Sequence, residues 1–182
     1  MEGIISGALL ADLDKIGGGR LVLGGVSDNA TYGMISVSEG VLELAKNMAT
    51  AIAHGRMVIG DGVGGARADI LRVTTAAQIA DAVPVTINSS GWLDVTDQDE
   101  RIGALTLDGG EASSDVARGG TLYLGDDVNV TANSNRIARL NGRVSLPATR
   151  TFDVSGHYFS PDLNVGAQVV GAGGITKTGN GE

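Results

Sequence analysis

Residues 121–130 read TLYLGDDVNV, in which two short apolar segments flank a Gly-Asp-Asp corner. The same order returns at 137–146, IARLNGRVSL, with Asn141-Gly142 at the corner, and at Leu107-Asp108-Gly109-Gly110. Apolar residues at alternate positions predict β-strands, and Gly, Asp and Asn between them predict tight turns. Strands joined by such corners are typical of a solenoid, whose coils stack so that only inward side chains are buried.

The rest of the chain continues this alternation, in about a dozen predicted strands closed by turn residues. Glycine supplies 29 of 182 residues, about twice its usual share of ~7%, and the low aromatic content of 3% suits a narrow aliphatic interior. We therefore expect an all-β right-handed parallel β-helix of short glycine-cornered coils. Two alanine-rich segments, Leu42–His54 and Thr74–Val83, remain open between a short helix and a turn.

Composition excludes several classes of function. Without cysteine the chain has no disulfide framework, thiolate nucleophile or cysteine-ligated metal. A net charge of −8 with dispersed basic residues argues against a nucleic-acid partner. No run of about 18 apolar residues predicts a membrane span, and Met1-Glu2-Gly3-Ile4 does not open an export signal, which we would expect upstream of this sequence if the protein is exported.

The two ends of the sequence resemble each other. Lys15-Ile16-Gly17-Gly18-Gly19 aligns with Lys177-Thr178-Gly179-Asn180-Gly181. We interpret residues 1–182 as a single β-solenoid module, which holds one long repeat of about 160 residues and the start of the next.

These segments resemble the autotransporter-associated β-strand repeat. Residues 15–23 give K-x-G-x-G-x-L-x-L, residues 36–42 give a later x-V-x-x-G-x-L element, and residues 171–181 match the glycine-rich opening of the motif. Leu13-Asp14 departs from it, since a Gly-Gly-Leu run is usual there. The resemblance implies a right-handed β-helical passenger or stalk region of a large secreted or surface-anchored bacterial protein, and it brings no catalytic residues with it.

Within that fold we expect two sets of structural residues. The glycines expected at the corners are Gly17, Gly19, Gly33, Gly40, Gly171, Gly173, Gly174, Gly179 and Gly181. The side chains expected to fill the interior are Leu21, Leu23, Val37, Leu42, Leu105, Leu107 and Ile175.

Two glycine-rich motifs suggest ligands that the surrounding sequence does not favour. Gly60–Gly65 satisfies the dinucleotide pattern G-x-G-x-x-G, yet residues 66–75 lack the helical face that should follow. Residues 64–71 nearly match the calcium-binding nonapeptide of stacked β-turns, but Arg67 occupies its fourth-position glycine. We expect solenoid corners at both places and no cofactor.

Two carboxylate groups and one aromatic group are the remaining candidates. Asp94, Asp97, Asp99 and Glu100 lie between two predicted strands, and Asp126-Asp127 form a second pair. Such carboxylates are solvated loop residues, acid/base groups of a polysaccharide-acting enzyme or calcium ligands that stabilise the module. The other candidate group is aromatic and consists of Phe152, Tyr158 and Phe159, near the end of the chain. These rings form either a contact patch for a glycan or a neighbouring chain, or a cap over one coil.

Taken together, the sequence favours a structural or adhesive module rather than an enzyme. The expected setting is extracellular or at the cell surface. The expected partners are adjacent repeats or identical subunits stacked end to end, with surface glycans as a further partner, and neither nucleic acid nor membrane insertion is expected. The competing hypothesis is a β-helical polysaccharide-acting enzyme that uses the Asp94–Glu100 carboxylates.

Overall fold

The computed structural model describes residues 12–30, 33–95, 97–156 and 160–182. Nineteen β-strands and no helix occur in these ranges. The strands are, in chain order, β1 (Leu13–Lys15), β2 (Arg20–Gly25), β3 (Met34–Val37), β4 (Gly40–Lys46), β5 (Arg56–Ile59), β6 (Asp69–Val73), β7 (Val85–Asn88), β8 (Gly91–Asp94), β9 (Asp99–Ile102), β10 (Leu105–Asp108), β11 (Glu111–Ser113), β12 (Thr121–Leu124), β13 (Val128–Val130), β14 (Ala138–Asn141), β15 (Arg143–Ser145), β16 (Arg150–Val154), β17 (Leu163–Val165), β18 (Gln168–Val170) and β19 (Ile175–Thr178).

These strands form three parallel sheets that run the length of a β-solenoid of about seven turns. Sheet I is ordered β1-β3-β5-β7-β10-β13-β16-β19, sheet II β17-β14-β11-β8-β6-β4-β2, and sheet III β18-β15-β12-β9. Each coil contributes one strand to sheet I and the next to sheet II, and the later coils add a strand to sheet III. The predicted all-β parallel solenoid is therefore confirmed.

The coil length is read from the strand register. Leu13 pairs with Ile35 and Ile35 with Met57, and the hydrogen-bonded residues Asp12 and Met34 in the same two coils are 22 residues apart. The step from Met57 to Val85 is longer, and residues 60–68, between β5 and β6, take up the excess as a loop. Sequence-distant residues thus become neighbours whenever their separation is close to one coil.

Period-two patterning places one face of each strand in the interior. In sheet II the inward positions form one ladder, which runs Leu21, Leu42, Leu71, Leu93, Ala112 and Leu140. The last five are fully buried, and each large side chain removed from water contributes about 1.5–3 kcal/mol. This ladder, the inward side chains of sheet I and those of sheet III, such as Leu122 and Val144, belong to one hydrophobic core.

Most residues expected in the interior are found there. Leu23, Val37, Leu42, Leu105 and Leu107 are at most 2% exposed, and Leu21 packs partly buried against the core. Ile175 differs, with 45% exposure. It lies on β19, the last strand of sheet I, where no described coil covers it.

Glycine permits the corner between sheets I and II. Gly40 has φ +74°, and a Cβ at this position would lie 2.6 Å from the carbonyl oxygen of Gly19 in the preceding coil. An L side chain would meet both the left-handed backbone and the neighbouring coil. The corner can therefore be tight only because this residue is glycine.

Side-chain hydrogen bonds also join successive coils. Asp12 accepts from the backbone N–H of Met34 at 2.6 Å, and Asp28 accepts from that of Thr50 at 2.5 Å. In both pairs the acceptor and the donor are separated by one coil. Such bonds satisfy backbone N–H groups that the pairing between strands leaves without an acceptor.

Neither alanine-rich segment forms a helix in the described residues. The first continues as strand β4, in which Leu42, Leu44 and Lys46 alternate inward and are buried. The second is held by Gln78, whose side chain accepts from the backbone N–H of Lys46 and donates to the carbonyl of Ala49. Of the two alternatives left open by the sequence, the turn is the one observed for Thr74–Val83.

Candidate functional site

The outer face of sheet II carries a cavity bordered by aromatic and charged side chains, here called the Trp92 cavity. Its volume is about 390 Å³, and its lining includes Trp92 and Asp94 from β8, Arg72 from β6, Asp97 and Arg118. Parallel pairing sets Ile70 beside Trp92 and Arg72 beside Asp94. Because inward leucines alternate with these residues, the strands place them together on the outer face.

Trp92 is held in one orientation. Its indole Nε1 donates to the Ser113 hydroxyl at 2.7 Å, and the Arg67 guanidinium lies 4.4 Å from the ring centroid. Arg67 in turn makes a two-pronged ion pair with Glu111, at 3.0 and 2.5 Å, which raises the pKa of the arginine. Asn141 completes this group by donating to Glu111 at 2.9 Å.

The charged groups of the cavity are arranged in pairs. Arg72 Nε donates to Asp94 Oδ2 at 2.8 Å, and the Asp94 side chain is only 5% exposed whereas that of Arg72 is 38% exposed. Arg118 lies 3.6 Å from Asp115, and Asp97 is exposed. The cavity wall therefore presents donors and acceptors next to each other.

The structure separates the four acidic residues of the Asp94–Glu100 segment. Asp94 and Asp97 share the cavity, while Asp99 is exposed on β9. Glu100 is 1% exposed and accepts from the backbone N–H groups of Gln78 at 2.7 Å and Ile79 at 3.1 Å. Burial raises the pKa of Glu100 to about 7, against the lowering effect of these hydrogen bonds.

The second carboxylate pair lies in the turn between β12 and β13. Asp126 and Asp127 line a cavity of about 260 Å³ together with Asp153. Asp127 also accepts from the backbone N–H of Thr151 at 2.8 Å, one coil further along. It thus joins two coils as Asp12 and Asp28 do.

The two glycine motifs form a corner. Gly60, Gly62, Gly64 and Gly65 all have positive φ, and the chain continues into strand β6 rather than a helix. Asp69, at the start of β6, is 1% exposed and accepts from the Ser90 hydroxyl at 2.5 Å. Across the described residues no group of three or more His, Asp or Glu side chains is placed to hold a metal.

The residues expected in the aromatic patch are described only in part. Phe152 lies on the inward face of β16 beside Val128, with 3% exposure, which leaves no exposed ring for a contact patch at that position. Tyr158 and Phe159 fall outside the described residues.

The two similar segments that begin at Lys15 and Lys177, here called the lysine motifs, lie at opposite ends of sheet I. Lys15 Nζ donates to the carbonyls of Ile16 and Gly17, and Lys177 Nζ donates to the carbonyls of Thr178 and Gly179. Both glycines have φ near +75°. Lys177 pairs with Phe152 of β16. Successive pairings along sheet I connect Lys15 to Val154 of the same strand β16. The positions of the two lysines in the sheet therefore differ by two residues along the strand, and both lysines lie on the same face.

The environments of the two lysines differ. Lys15 is 6% exposed and makes a third bond, at 2.7 Å, to the carbonyl of Glu39 in the next coil. Lys177 is exposed. On the terminal strands of the three sheets, Val165, Val169 and Ile175 are 37–45% exposed.

The corner glycines expected from the sequence take several conformations. Positive φ is found at Gly17, Gly40, Gly171 and Gly179. Gly181 lies where a Cβ would come within 2.7 Å of the Ser155 carbonyl. The others stand in the turns that lead into strands: Gly19 precedes β2, Gly33 precedes β3, and Gly173 and Gly174 precede β19.

Sequence reasoning did not identify the Trp92 cavity. Arg72 and Asp94 are 22 residues apart, and that separation marks a neighbouring pair only once the coil length is known.

The described residues contain no helix long and apolar enough to cross a membrane. No family model, curated protein or solved structure matches the chain.

Proposed function

We propose that this chain is a structural β-solenoid module, a stalk or adhesive passenger segment of an exported bacterial surface protein, which stacks end to end with adjacent repeats or identical subunits. The observation that carries the proposal is the shared lysine-to-carbonyl arrangement of Lys15 and Lys177 at the two ends of sheet I. The exported, cell-surface setting is supported by the resemblance of residues 15–23 and 171–181 to the autotransporter-associated repeat.

Stacking follows from what the following coil does for Lys15. Strand β3 pairs with β1, and the Glu39 carbonyl then accepts from Lys15 Nζ, so the lysine is buried. A coil laid on β19 would treat Lys177 in the same way. It would also cover Ile175 and pair the free edge of β19, and unpaired strand edges favour such additions.

The terminal edges of sheets II and III favour the same partner. Among the described strands, β17 and β18 each pair on one side only, and each exposes a valine, Val165 and Val169. Another coil of this kind would extend all three sheets at once. The result is a rod whose length follows the number of coils.

The three lysines of the chain provide the test, because Lys15 and Lys46 are at most 6% exposed and Lys177 is exposed. We would compare the chain with a tandem form in which residues 21–182 are repeated after Glu182, using amine labelling and mass spectrometry. Stacking predicts that Lys177 labels readily in the single chain and becomes protected in the tandem form, to the level of Lys15. Equal labelling of Lys177 in both forms would contradict the covalent version.

The version with separate chains has its own test. Light scattering and negative-stain electron microscopy over a concentration series should show rods that lengthen with concentration. Ile175→Lys should suppress them by placing a charge on the free edge, while Met48→Lys, which changes a residue 98% exposed at a corner, should not. A strict monomer at high concentration would exclude separate-chain stacking and leave the covalent version to the labelling experiment.

A polysaccharide-acting enzyme is the second candidate. It is favoured by one observation, the presence of Asp94 and Asp97 in the Trp92 cavity. Glu100 lies apart from them, against the backbone of residues 78 and 79. Activity on a polysaccharide panel that disappears in Asp97→Asn with Asp99→Asn would establish this alternative.

A further inference from the structure

The Trp92 cavity has one rigid apolar wall. Arg67 over the indole ring and the Nε1 bond to Ser113 fix the side chain before any ligand arrives. Glu111, which accepts from both Arg67 and Asn141, holds Arg67 in place from a later coil. A wall that is already ordered adds little conformational entropy cost to binding.

Apart from Val73 and Thr74, the remaining lining is charged, and its charges balance. It contains two arginines, Arg72 and Arg118, and two aspartates, Asp94 and Asp97. A charged ligand would therefore meet as much repulsion as attraction. A hydroxyl group, in contrast, donates to a carboxylate and accepts from a guanidinium at the same time, so a ligand rich in hydroxyls satisfies both kinds of group.

Size points to the same class of ligand. The cavity of about 390 Å³ lies at the low end of the ~300–1,000 Å³ typical of small-molecule sites. The outer face continues along the axis through polar side chains, Ser113 and Asn141, in the row of Arg72 and Asp94. Such a row can contact further units of a polymer that lies along the solenoid.

We propose that this cavity binds a segment of a neutral polysaccharide, with a sugar ring against Trp92 and its hydroxyls on Arg72, Asp94 and Asp97. The site binds the sugar without cleaving it. Hydrolysis by two carboxyl groups needs one that is kept protonated in an apolar setting, whereas Asp94 is ion-paired to Arg72 and Asp97 is exposed. This inference goes beyond the structural role, since a rod without the cavity would stack equally well.

Trp92 is the only tryptophan of the chain, so its fluorescence reports on the site directly. We would titrate the full chain with neutral hexasaccharides of the glucan, mannan, galactan and xylan types, and with an anionic galacturonate and a cationic chitosan oligomer for comparison. At least one neutral oligomer should shift the emission with saturation, and calorimetry should give the same Kd. The charged oligomers should bind more weakly.

Variants assign the binding to the cavity. Asp97→Asn, a change at an exposed residue, should weaken binding about tenfold or more by removing a charge-assisted hydrogen bond, and Trp92→Ala should abolish it by calorimetry. Asp81→Asn is the matched control, since Asp81 is an exposed aspartate 3.6 Å from Arg101 and outside the cavity. Circular dichroism checks the folding of each variant, and Asp97→Asn remains informative if Trp92→Ala does not fold.

Any of these binding results would overturn the proposal: no neutral oligomer binds, binding is unchanged by Asp97→Asn, or charged oligomers bind more tightly. Release of new reducing ends would also overturn it, in favour of the enzyme. Stacking is measured separately by lysine labelling, so the failure of one proposal is distinguishable from the failure of the other.

Discussion

Glu100 gives the structure a specific pH dependence. Burial raises the pKa of this carboxyl from the ordinary 4.5 to about 7 in the folded chain. The unfolded chain therefore ionises first as the pH rises, and the folded state loses stability between about pH 4.5 and pH 7. At about 1.4 kcal/mol for each pH unit, this shift corresponds to roughly 3 kcal/mol.

To test this, we would replace Glu100 by Gln and measure the free energy of unfolding by urea denaturation from about pH 4 to pH 8. Glutamine keeps an oxygen for one of the N–H groups of Gln78 and Ile79 but never carries the buried charge. The free energy of unfolding of the variant, minus that of the parent, should therefore rise by about 3 kcal/mol from acid to neutral pH.

Asp99→Asn is the control for this prediction, because Asp99 lies on the same strand but is exposed. Its effect should stay within about 0.5 kcal/mol across the pH range. A stability difference between Glu100→Gln and the parent that does not change with pH would contradict this prediction, since Glu100 would then titrate alike in the folded and unfolded chains.

Two further predictions concern the corner and the core, both measured by chemical denaturation. Gly40→Ala should destabilise the chain by about 2–4 kcal/mol, because it adds a left-handed backbone cost of ~1–2 kcal/mol and overlap with Gly19. Gly19→Ala, with no atom within 4 Å of the new Cβ, should change stability by less than about 0.5 kcal/mol, and equal effects would contradict the prediction. Leu93→Ala should cost about 2–5 kcal/mol by opening a cavity in the ladder of sheet II. Val169→Ala, at a residue 41% exposed, should cost far less, and a similar loss in both would show that the ladder is not the core.

The sequence predicted those features that each strand determines locally. The alternation around Leu105 and Leu107 identifies the inward face, and the glycine at position 40 identifies a corner. Both depend on side chains that are close to one another in sequence.

Features that depend on register between coils were not predictable. Thr74–Val83 has good helix formers, yet Glu100 and Lys46, which are distant in sequence on either side, bind Gln78 and hold the segment as a loop. The Arg72–Asp94 pair likewise requires knowledge of the coil length. Ile175 has a core-type side chain, and its exposure follows from the position of its strand at the end of the stack rather than from its own sequence context.

The stacking of coils also sets which changes of length the chain can absorb. Deleting one residue inside β8 would move Trp92 or Leu93 to the opposite face, because side chains alternate along a strand. Inserting a whole coil of 22 residues, which is the separation of Arg72 from Asp94, would keep every inward residue inward. It would lengthen the solenoid along its axis by about 4.8 Å, the spacing between neighbouring strands. Variation in length among proteins built in this way should therefore occur in whole coils or within loops such as residues 60–68, and single-residue insertions should be rare within the strands.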